Sequence, residues 1–294
     1  MIDLTIINTG RNDDFGERFL ERFSFALKAN LKFFDRSNIT YEYILVDWFP
    51  YDNKHYLINT DLLKDKLKHK SIKNIIVDNN IAIPEKLGQK VFYEYFAKNV
   101  GIRQAIGKYI LLINSDIIIP EKLVILLKEI IVKNEDNKFY RTLWRYNVDF
   151  LQDNEIEIIN TLNLYHPQNK DGFLLGAYSG DFLFLKRDII NTITGFDETC
   201  KEHRNNNKWQ CGMDGEILWN LHNNKNKIEI IDCEYYHLIH NYKLVNNNLK
   251  VVDGIYRQNI KYKNLDNWGF INYNKHNIND NTILIHNYGD INEL

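Results

Sequence analysis

The chain has 294 residues, a length that fits one large α/β domain or such a domain with a small extension. Its formal net charge of −2 at pH 7 gives no electrostatic case for nucleic acid or an anionic membrane as the main partner. Neither a run of about 18 apolar residues nor a signal peptide is visible, so we expect no membrane span. Three cysteines without a CxxC pair favour a reduced, cytoplasmic protein.

Strands and helices are predicted to alternate through the first half of the chain. The hydrophobic pattern indicates strands at residues 4–8, 43–46, 72–77 and 109–113 and helices at residues 14–34, 61–70, 85–105 and 121–132. Pro84 and Pro120 stand directly before the last two helices, where proline is favoured. This alternation predicts an α/β fold with a mainly parallel central sheet and helices on both faces.

The second half of the chain is less regular. Residues 139–147, 182–185 and 228–231 are predicted to be strands, and residues 213–222 a helix. From about Asn241 the chain is rich in Asn and Tyr and has weak periodicity. We therefore expect a C-terminal extension at 241–294 beyond a main domain at 1–240.

Acidic residues end three of the first four predicted strands, at Asp47, Asp78 and Asp116. On a parallel sheet these residues lie along the carboxyl edge, where open α/β sheets bind their ligands. Asp47 could bind the base or ribose of a nucleotide there, and Asp116 a hard cation that bridges its phosphates. Each Asp taken singly also suits a turn or a helix cap, and for Asp78 we keep that interpretation.

Eight short motifs resemble, in their order, those of GT-A glycosyltransferases of the family 2 type. In chain order they are TGRNDD (9–14), ILVDWFP (44–50), AKNVGIRQAIGKYILLINSD (97–116), RTLWRYNV (141–148), SGDFLFLKRD (179–188), GFDE (195–198), GMDGEIL (212–218) and YYHLIH (235–240). The resemblance runs from about residue 2 to residue 240. It implies a GT-A fold with a nucleotide-binding half (1–116) and an acceptor-binding half (117–240).

The resemblance implies a hexosyltransferase-type enzyme that uses a nucleotide-sugar donor, with a UDP-sugar as the first candidate. The acceptor would be a glycan, a protein or another hydroxyl compound, and transfer would proceed with inversion and a divalent metal, Mn²⁺ or Mg²⁺. The positions that match the donor pocket of the family are Thr9, Arg11, Asp47, Asn99, Arg103 and Ser115. Asn99 and Arg103 are four residues apart, so one helical face carries both.

The metal positions implied by the resemblance are Asn114, Asp116 and His240, with His237 as the alternative to His240. Asn114 stands where the family has the first aspartate of its DxD motif. Because an amide oxygen is a neutral, weaker ligand, the metal is expected to depend mainly on Asp116, and Asn114→Asp is expected to tighten it. The two histidines read equally well as a packed or surface pair.

Asp214 stands at the position of the general base of the family, although Met213 replaces the acid that usually precedes it. Glu216 is the reserve candidate, but helical spacing turns it away from Asp214. From the residues alone, Asp214 suits equally a carboxylate at a helix N-terminus, where the macrodipole favours it. Gly180 and Asp181 match positions that border the donor sugar or the acceptor.

Other functional classes stay open. A non-catalytic binder of sugar nucleotides or glycans fits because Asn114 and Met213 each stand where the resemblance leads us to expect an acidic residue. A sugar nucleotidyltransferase fits less well, since the loop INTGRNDD has one Gly and no Lys. The absence of GxGxxG after the first strand and of GxxxxGK[ST] anywhere disfavours a dinucleotide dehydrogenase and a P-loop NTPase.

Overall fold

The described residues fold around one mixed sheet of 11 strands. The computed structural model describes residues 2–13, 16–50, 54–78, 92–150, 156–163, 180–198, 213–240, 263–264, 266, 268–270 and 274–286. The two largest hydrophobic clusters of the described residues lie on opposite faces of the sheet, and helices cover both of them. The predicted α/β class, with a central sheet between helices, is therefore confirmed.

The described residues form eleven strands and five α-helices. The strands are β1 (Leu4–Gly10), β2 (Tyr41–Trp48), β3 (Ile72–Val77), β4 (Tyr109–Ile113), β5 (Ile117–Ile118), β6 (Lys138–Phe150), β7 (Ile156–Asn163), β8 (Phe182–Lys186), β9 (Lys227–Leu238), β10 (Asn274–Asn279) and β11 (Thr282–His286). The helices are α1 (Phe19–Asp35), α2 (Glu94–Gln104), α3 (Glu121–Lys133), α4 (Arg187–Thr192) and α5 (Met213–Asn223). Short 3-10 turns occur at Leu57–Asn59, Lys66–Lys68 and Trp268–Phe270.

The strand order places many chain segments at one edge of the sheet. Along the sheet it is β10–β11–β3–β2–β1–β4–β8–β6–β9–β5, and β7 pairs with β6. Strands β11, β3, β2, β1 and β4 pair in parallel, as predicted for the first half. Strand β8 runs antiparallel to β4 and β6, and β9 runs parallel to β6. The amino end of β8 and the carboxyl ends of β6 and β9 therefore meet the carboxyl ends of β1, β2 and β4 at the same edge, called here the carboxyl edge.

The central position of strand β4 in the sheet explains why its sequence is apolar at every position. Tyr109, Leu111 and Ile113 pack into the core beneath α1 and α3, whereas Ile110 and Leu112 pack into the core beneath α2 and α5. A strand covered on both faces has no solvent-facing side, so polar alternation is lost. Full burial of each such aliphatic side chain contributes about 1.5–3 kcal/mol.

Helix α1 begins later than predicted. The predicted start at residue 14 lies outside the described residues, but Gly16, Glu17 and Arg18 are described and are not helical. Their φ angles are 68°, 66° and 52°, in the left-handed region. A right-handed helix cannot include such residues, so α1 starts at Phe19. The prediction that the helix includes residues 16–18 is therefore wrong.

The predicted helix at 61–70 is wrong as a continuous α-helix. The segment forms turns and one 3-10 turn, Lys66–Lys68. Lys64 N donates to Thr60 O at 2.9 Å, an α-type bond, but His69 N donates to Lys66 O at 3.2 Å, a 3-10 bond. Within this segment Leu63 and Leu67 are buried. Two buried side chains do not stabilise an isolated helix shorter than about 12 residues.

The other predicted helices agree with the structure in type but differ at their ends. Helix α2 begins at Glu94, because Phe92 and Tyr93 are not helical, and residues 85–91 lie outside the described residues. Helix α3 spans Glu121–Lys133 with Pro120 as its N-cap, which confirms the predicted helix at 121–132. Helix α5 confirms the predicted helix at 213–222.

Residues 274–286 join the main sheet. Strand β11 pairs in parallel with β3, and β10 pairs with β11 as the edge strand. Weak periodicity hid both strands from sequence analysis, and the short β5 and exposed β7 were missed as well. The division at residue 240 stays a prediction. Among the described residues, no helix is long and apolar enough to cross a membrane.

Candidate functional site

Most of the predicted site residues lie at the carboxyl edge, and some of them form two neighbouring groups. The first, called here the Asp–His group, consists of Asp116, His237 and His240. The second contains Asn114 and Asp181, which are hydrogen-bonded to each other.

The Asp–His group brings three potential metal ligands together from two chain segments. Asp116 follows β4, and the pairing of β5 with β9 places His237 opposite Ile117. Oδ2 of Asp116 lies 3.2 Å from Nε2 of His240 and 3.6 Å from Nε2 of His237. One ligand atom from each residue lies within 4.8 Å of the others. One carboxylate and two imidazoles at this spacing fit a divalent cation.

The charge states of this group also suit a cation. Burial would raise the pKa of Asp116, but His237, His240 and Arg22 outweigh it and hold that pKa well below its usual range. Burial lowers the pKa of His237, against the attraction of Asp116. An ionised carboxylate and a neutral imidazole are the forms that coordinate metals.

Asn114 bridges a cation and an anion. Its Oδ1 accepts a hydrogen bond from Nζ of Lys98 at 2.8 Å, and its Nδ2 donates to Oδ1 of Asp181 at 3.2 Å. Lys98 is fully buried and pairs with Glu94 at 2.6 Å. The positive charge of Lys98 would repel a metal cation bound to the same oxygen. The geometry therefore gives no support to Asn114 as a metal ligand.

Asp181 is held by buried donors on two neighbouring strands. Its Oδ2 accepts hydrogen bonds from Nη1 of Arg145 at 2.6 Å and from the hydroxyl of Tyr235 at 2.8 Å. Burial raises the pKa of Tyr235 well above its usual value, so the phenol keeps its proton and stays a donor. Removing one partner of such a buried ion pair costs about 3–5 kcal/mol. Asp181 thus joins β8 to β6 and β9.

Asp214 lies in the first turn of α5 and faces Gly180. Its Oδ2 accepts the backbone N–H of Gly180 at 2.8 Å, and its Oδ1 accepts that of Gly215 at 3.1 Å. A Cβ added to Gly180 would lie 3.1 Å from Oδ2, so the contact favours glycine there. Asp214 is half-buried. Its position agrees both with a helix-end carboxylate and with a base beside an acceptor.

Three of the predicted donor residues come together at the ends of β1 and β4. The hydroxyl of Ser115 donates to the carbonyl of Thr9 at 2.6 Å, which ties the loop after β4 to β1. Arg11 pairs with Asp13 through Nε at 2.8 Å and Nη2 at 2.6 Å. Its guanidinium lies 5.8 Å from the centre of the Phe92 ring.

Asp47 lies at the same edge and is fully buried. Its Oδ2 accepts the backbone N–H of Ile58 at 3.0 Å, so it caps the 3-10 turn at Leu57–Asn59. Burial raises its pKa to about 7, although the N–H groups of Ile58 and Leu57 oppose that shift.

Unpartnered oxygens are clustered at the ends of β1 and β2. Among the described residues no hydrogen-bond partner is found for the buried atoms Asn8 Oδ1, Thr9 Oγ1 and Asp47 Oδ1. Buried acceptors of this kind normally have a donor. A ligand with N–H and O–H groups would supply such donors.

Asn99 and Arg103 make contacts of a different kind. Nδ2 of Asn99 donates hydrogen bonds to the carbonyl of Phe196 and to Oε1 of Glu198, both at 2.8 Å. Oδ1 of Asn99 accepts the backbone N–H of Phe196 at 2.8 Å. The guanidinium of Arg103 lies 4.7 Å from the centre of the Trp268 ring. Helix α2 thus uses both side chains to hold the loop after α4 and the Trp268 turn. Among the contacts found for the described residues, none joins Asn99 or Arg103 to Thr9 or Arg11.

Several polar residues that build this edge were not predicted from the sequence. Lys98, Arg145, Asn147, Tyr235 and Arg22 were assigned no role, although four of them lie inside the quoted motifs. The available signal was a charged residue at a core-facing position, such as Lys98 between Ala97 and Val100. Asp14, Ser179 and Gly212 of the motifs lie outside the described residues.

The solved structures that match this chain include crystal structures of TarS from S. aureus. TarS 1–349 matches with 14% identity and a TM-score of 0.49, over 81% of this chain and 60% of that chain. A second TarS structure matches with 16% identity and a TM-score of 0.49, over 81% of this chain and 37% of that chain. The chain thus spans less than two thirds of the TarS chains that it matches, and a likeness this distant assigns no function. No family model and no curated protein matches the sequence.

Proposed function

We propose that the chain is a glycosyltransferase that moves a sugar from a nucleotide-sugar donor to a hydroxyl acceptor with inversion. The observation that carries the proposal is the convergence of Asp116, His237 and His240 at the carboxyl edge. This is the edge at which open α/β sheets bind nucleotides. The order of the eight sequence motifs supports the same activity.

The donor would lie across the ends of β1, β2 and β4. Thr9, Arg11, Asp47 and Ser115 line this part of the edge, and unpartnered buried oxygens of Thr9 and Asp47 can accept hydrogen bonds. Uracil has an N–H donor and ribose has hydroxyl donors, which supports a UDP-sugar as the first candidate. Asn99 and Arg103 are left out of this proposed pocket because their contacts lie elsewhere.

A metal would be held by the Asp–His group, with Asp116 as its anionic ligand. Two imidazole nitrogens suit Mn²⁺ better than Mg²⁺, which prefers oxygen ligands. A bound divalent cation supplies positive charge that stabilises a leaving nucleoside diphosphate.

Asp214 is the proposed general base. Its carboxylate is half-buried, and the N–H groups of Gly180 and Gly215 hold it in place. A base positioned in this way takes the proton of the acceptor hydroxyl as the bond to the sugar forms. Gly180 would then border the acceptor, whereas Asp181 fixes the local structure through Arg145 and Tyr235.

The competing proposal is a protein that binds a sugar nucleotide or glycan without reaction. It is favoured by the hydrogen bonds of Asn114 to Lys98 and Asp181, because they leave Asp116 without a second oxygen ligand in the proposed metal group. A panel of nucleotide sugars, tested by thermal shift and by hydrolysis with and without Mn²⁺, separates the two. An enzyme is expected to release nucleoside diphosphate from one donor in a Mn²⁺-dependent way. Stabilisation without any hydrolysis or transfer would establish the binder.

A further inference from the structure

We propose that Asn147 is a positioning residue that fixes the tautomer of His237 and so prepares the Asp–His group for a divalent cation. This inference rests on the proposed function, because it concerns the same metal site. It follows from the hydrogen bonds of the Asn147 side chain, on β6 directly beside His237 of β9.

The partners of the Asn147 amide identify its oxygen. Oδ1 lies 3.0 Å from Nε of Arg145, and a guanidinium nitrogen only donates hydrogen bonds. Nδ2 on the other side lies 2.6 Å from Oδ1 of Asn160 on β7. The atom that faces Arg145 is therefore an acceptor.

The same oxygen lies 3.1 Å from Nδ1 of His237. Because an amide oxygen has no hydrogen to donate, Nδ1 of His237 carries the proton of this bond. In the neutral ring, Nε2 then has a lone pair. Nε2 faces Oδ2 of Asp116 at 3.6 Å, so two acceptors point at each other. A cation between them satisfies both, and metal-ligating histidines commonly donate their second N–H in this way.

Buried side chains keep the Asn147 amide in this orientation. Arg145 is 7% exposed and His237 is 5% exposed, so water competes little for these bonds. Arg145 in turn donates from Nη1 to Oδ2 of Asp181 at 2.6 Å. A chain of bonds thus runs from Asp181 through Arg145 and Asn147 to His237, and the metal-ligating tautomer is present before a cation binds.

The test measures the affinity of the full chain for Mn²⁺ alone, by electron paramagnetic resonance titration without a sugar nucleotide. Asn147→Leu removes the acceptor oxygen at similar volume, and its dissociation constant is expected to rise about 10–100-fold. Asn147→Asp keeps an acceptor oxygen and is expected to bind as wild type or more tightly. Asn160→Leu, the matched control, removes a partner of Nδ2 but leaves Oδ1 in place, and its affinity is expected to stay unchanged.

A second measurement reads the tautomer directly and needs no folded variant at position 147. In the metal-free wild type, ¹⁵N–¹H correlation of labelled histidines, assigned with His237→Gln, is expected to show the proton of His237 on Nδ1. A proton on Nε2 overturns the proposal. Wild-type affinity in folded Asn147→Leu, or an equal loss in Asn147→Asp, overturns it as well. If wild type itself binds no Mn²⁺, the metal site of the proposed function fails together with this inference.

Discussion

Asp116 differs from the other acids of the carboxyl edge in the groups that surround it. Two imidazoles face its carboxylate, whereas Arg145 and Tyr235 hold Asp181, and backbone N–H groups hold Asp47. A neutral imidazole can coordinate a cation together with the carboxylate, whereas a guanidinium or a backbone N–H group can only donate a hydrogen bond. At the scale of single residues, the partners of each acid therefore decide which role we propose for it.

Asp116→Ala is expected to abolish Mn²⁺-dependent stabilisation by a nucleoside diphosphate, because it removes the anionic ligand of the proposed metal site. Differential scanning fluorimetry with uridine diphosphate, with and without Mn²⁺, measures this effect. Asp61→Ala is the matched control, since Asp61 is exposed and pairs only with Lys64 among the contacts found for it. An unchanged Mn²⁺ response in Asp116→Ala would remove Asp116 from the site.

Asn114→Asp is expected to destabilise the protein without tightening Mn²⁺, contrary to the sequence-based expectation. One oxygen of the new carboxylate would keep the hydrogen bond from Lys98. The other would lie about where Nδ2 now donates to Asp181 at 3.2 Å, so two like charges would face each other there. Like charge raises the folded-state pKa of one carboxylate, so the variant should regain stability relative to wild type as the pH falls below about 5. Urea unfolding across this range and Mn²⁺ titration measure both effects. Tighter Mn²⁺ binding would restore Asn114 to the metal site.

Asp214→Asn separates catalysis from helix stabilisation. Loss of a general base is expected to lower transfer by about 10²–10⁴, with donor and Mn²⁺ binding retained. Loss of a helix-end charge costs only about 0.3–1 kcal/mol and would appear as lower stability instead. Transfer assays and denaturant unfolding measure the two effects, with Asp188→Asn, which removes an exposed acid from the first turn of α4, as the control. Wild-type transfer in a folded Asp214→Asn protein would leave Asp214 a structural residue.

At the scale of elements, polar side chains tie the ends of strands to the segments that follow them. Ser115 connects the loop after β4 to β1, and Asp181 connects β8 to β6 and β9. Asp47 connects the end of β2 to the 3-10 turn at Leu57–Asn59. Because water has little access to these hydrogen bonds, breaking one would leave a donor or acceptor without a partner, which costs free energy of folding.

Asp47 gives this connection a pH dependence. Its pKa is about 7 in the folded protein, above the ordinary 3.8, so the folded state holds a proton that the unfolded state has released. Stability should therefore fall as pH rises from about 4 to about 7, with a slope of at most about 1.4 kcal/mol per pH unit from this group. Asp47→Asn keeps an acceptor for Ile58 and should remove that slope. Urea unfolding of both proteins without metal tests this, and parallel pH curves would contradict it.

At the scale of the whole molecule, residues 274–286 add two strands to the sheet that contains β1. Strand β11 covers the edge of β3, with Ile283 opposite Ile75 and Ile285 opposite Val77. The Trp268 turn packs on α2 through Arg103. Residues of the predicted extension thus contact strand β3 and helix α2 of the first half of the chain.

Removal of residues 241–294 is expected to lower the melting temperature and promote association, because the apolar edge of β3 would be left unpaired. Size-exclusion chromatography and thermal unfolding measure these effects. Trp268→Ala in the full chain is the companion variant, and it should lower stability without association. A monomeric 1–240 fragment as stable as the full chain would support the extension as a separate unit.

The sequence alone determined the α/β class, the parallel first half of the sheet and the carboxyl edge that carries Asp47 and Asp116. These features depend on local periodicity and on strand ends, which neighbouring residues encode. The tertiary structure decided which side chains meet: His237 with Asn147, Asn114 with Lys98, and Asn99 with the loop at Phe196. It also decided that β11 pairs with β3 across more than 200 residues of chain. Such contacts join residues that are remote in sequence, so no local pattern records them, and only the packing of the folded chain selects them.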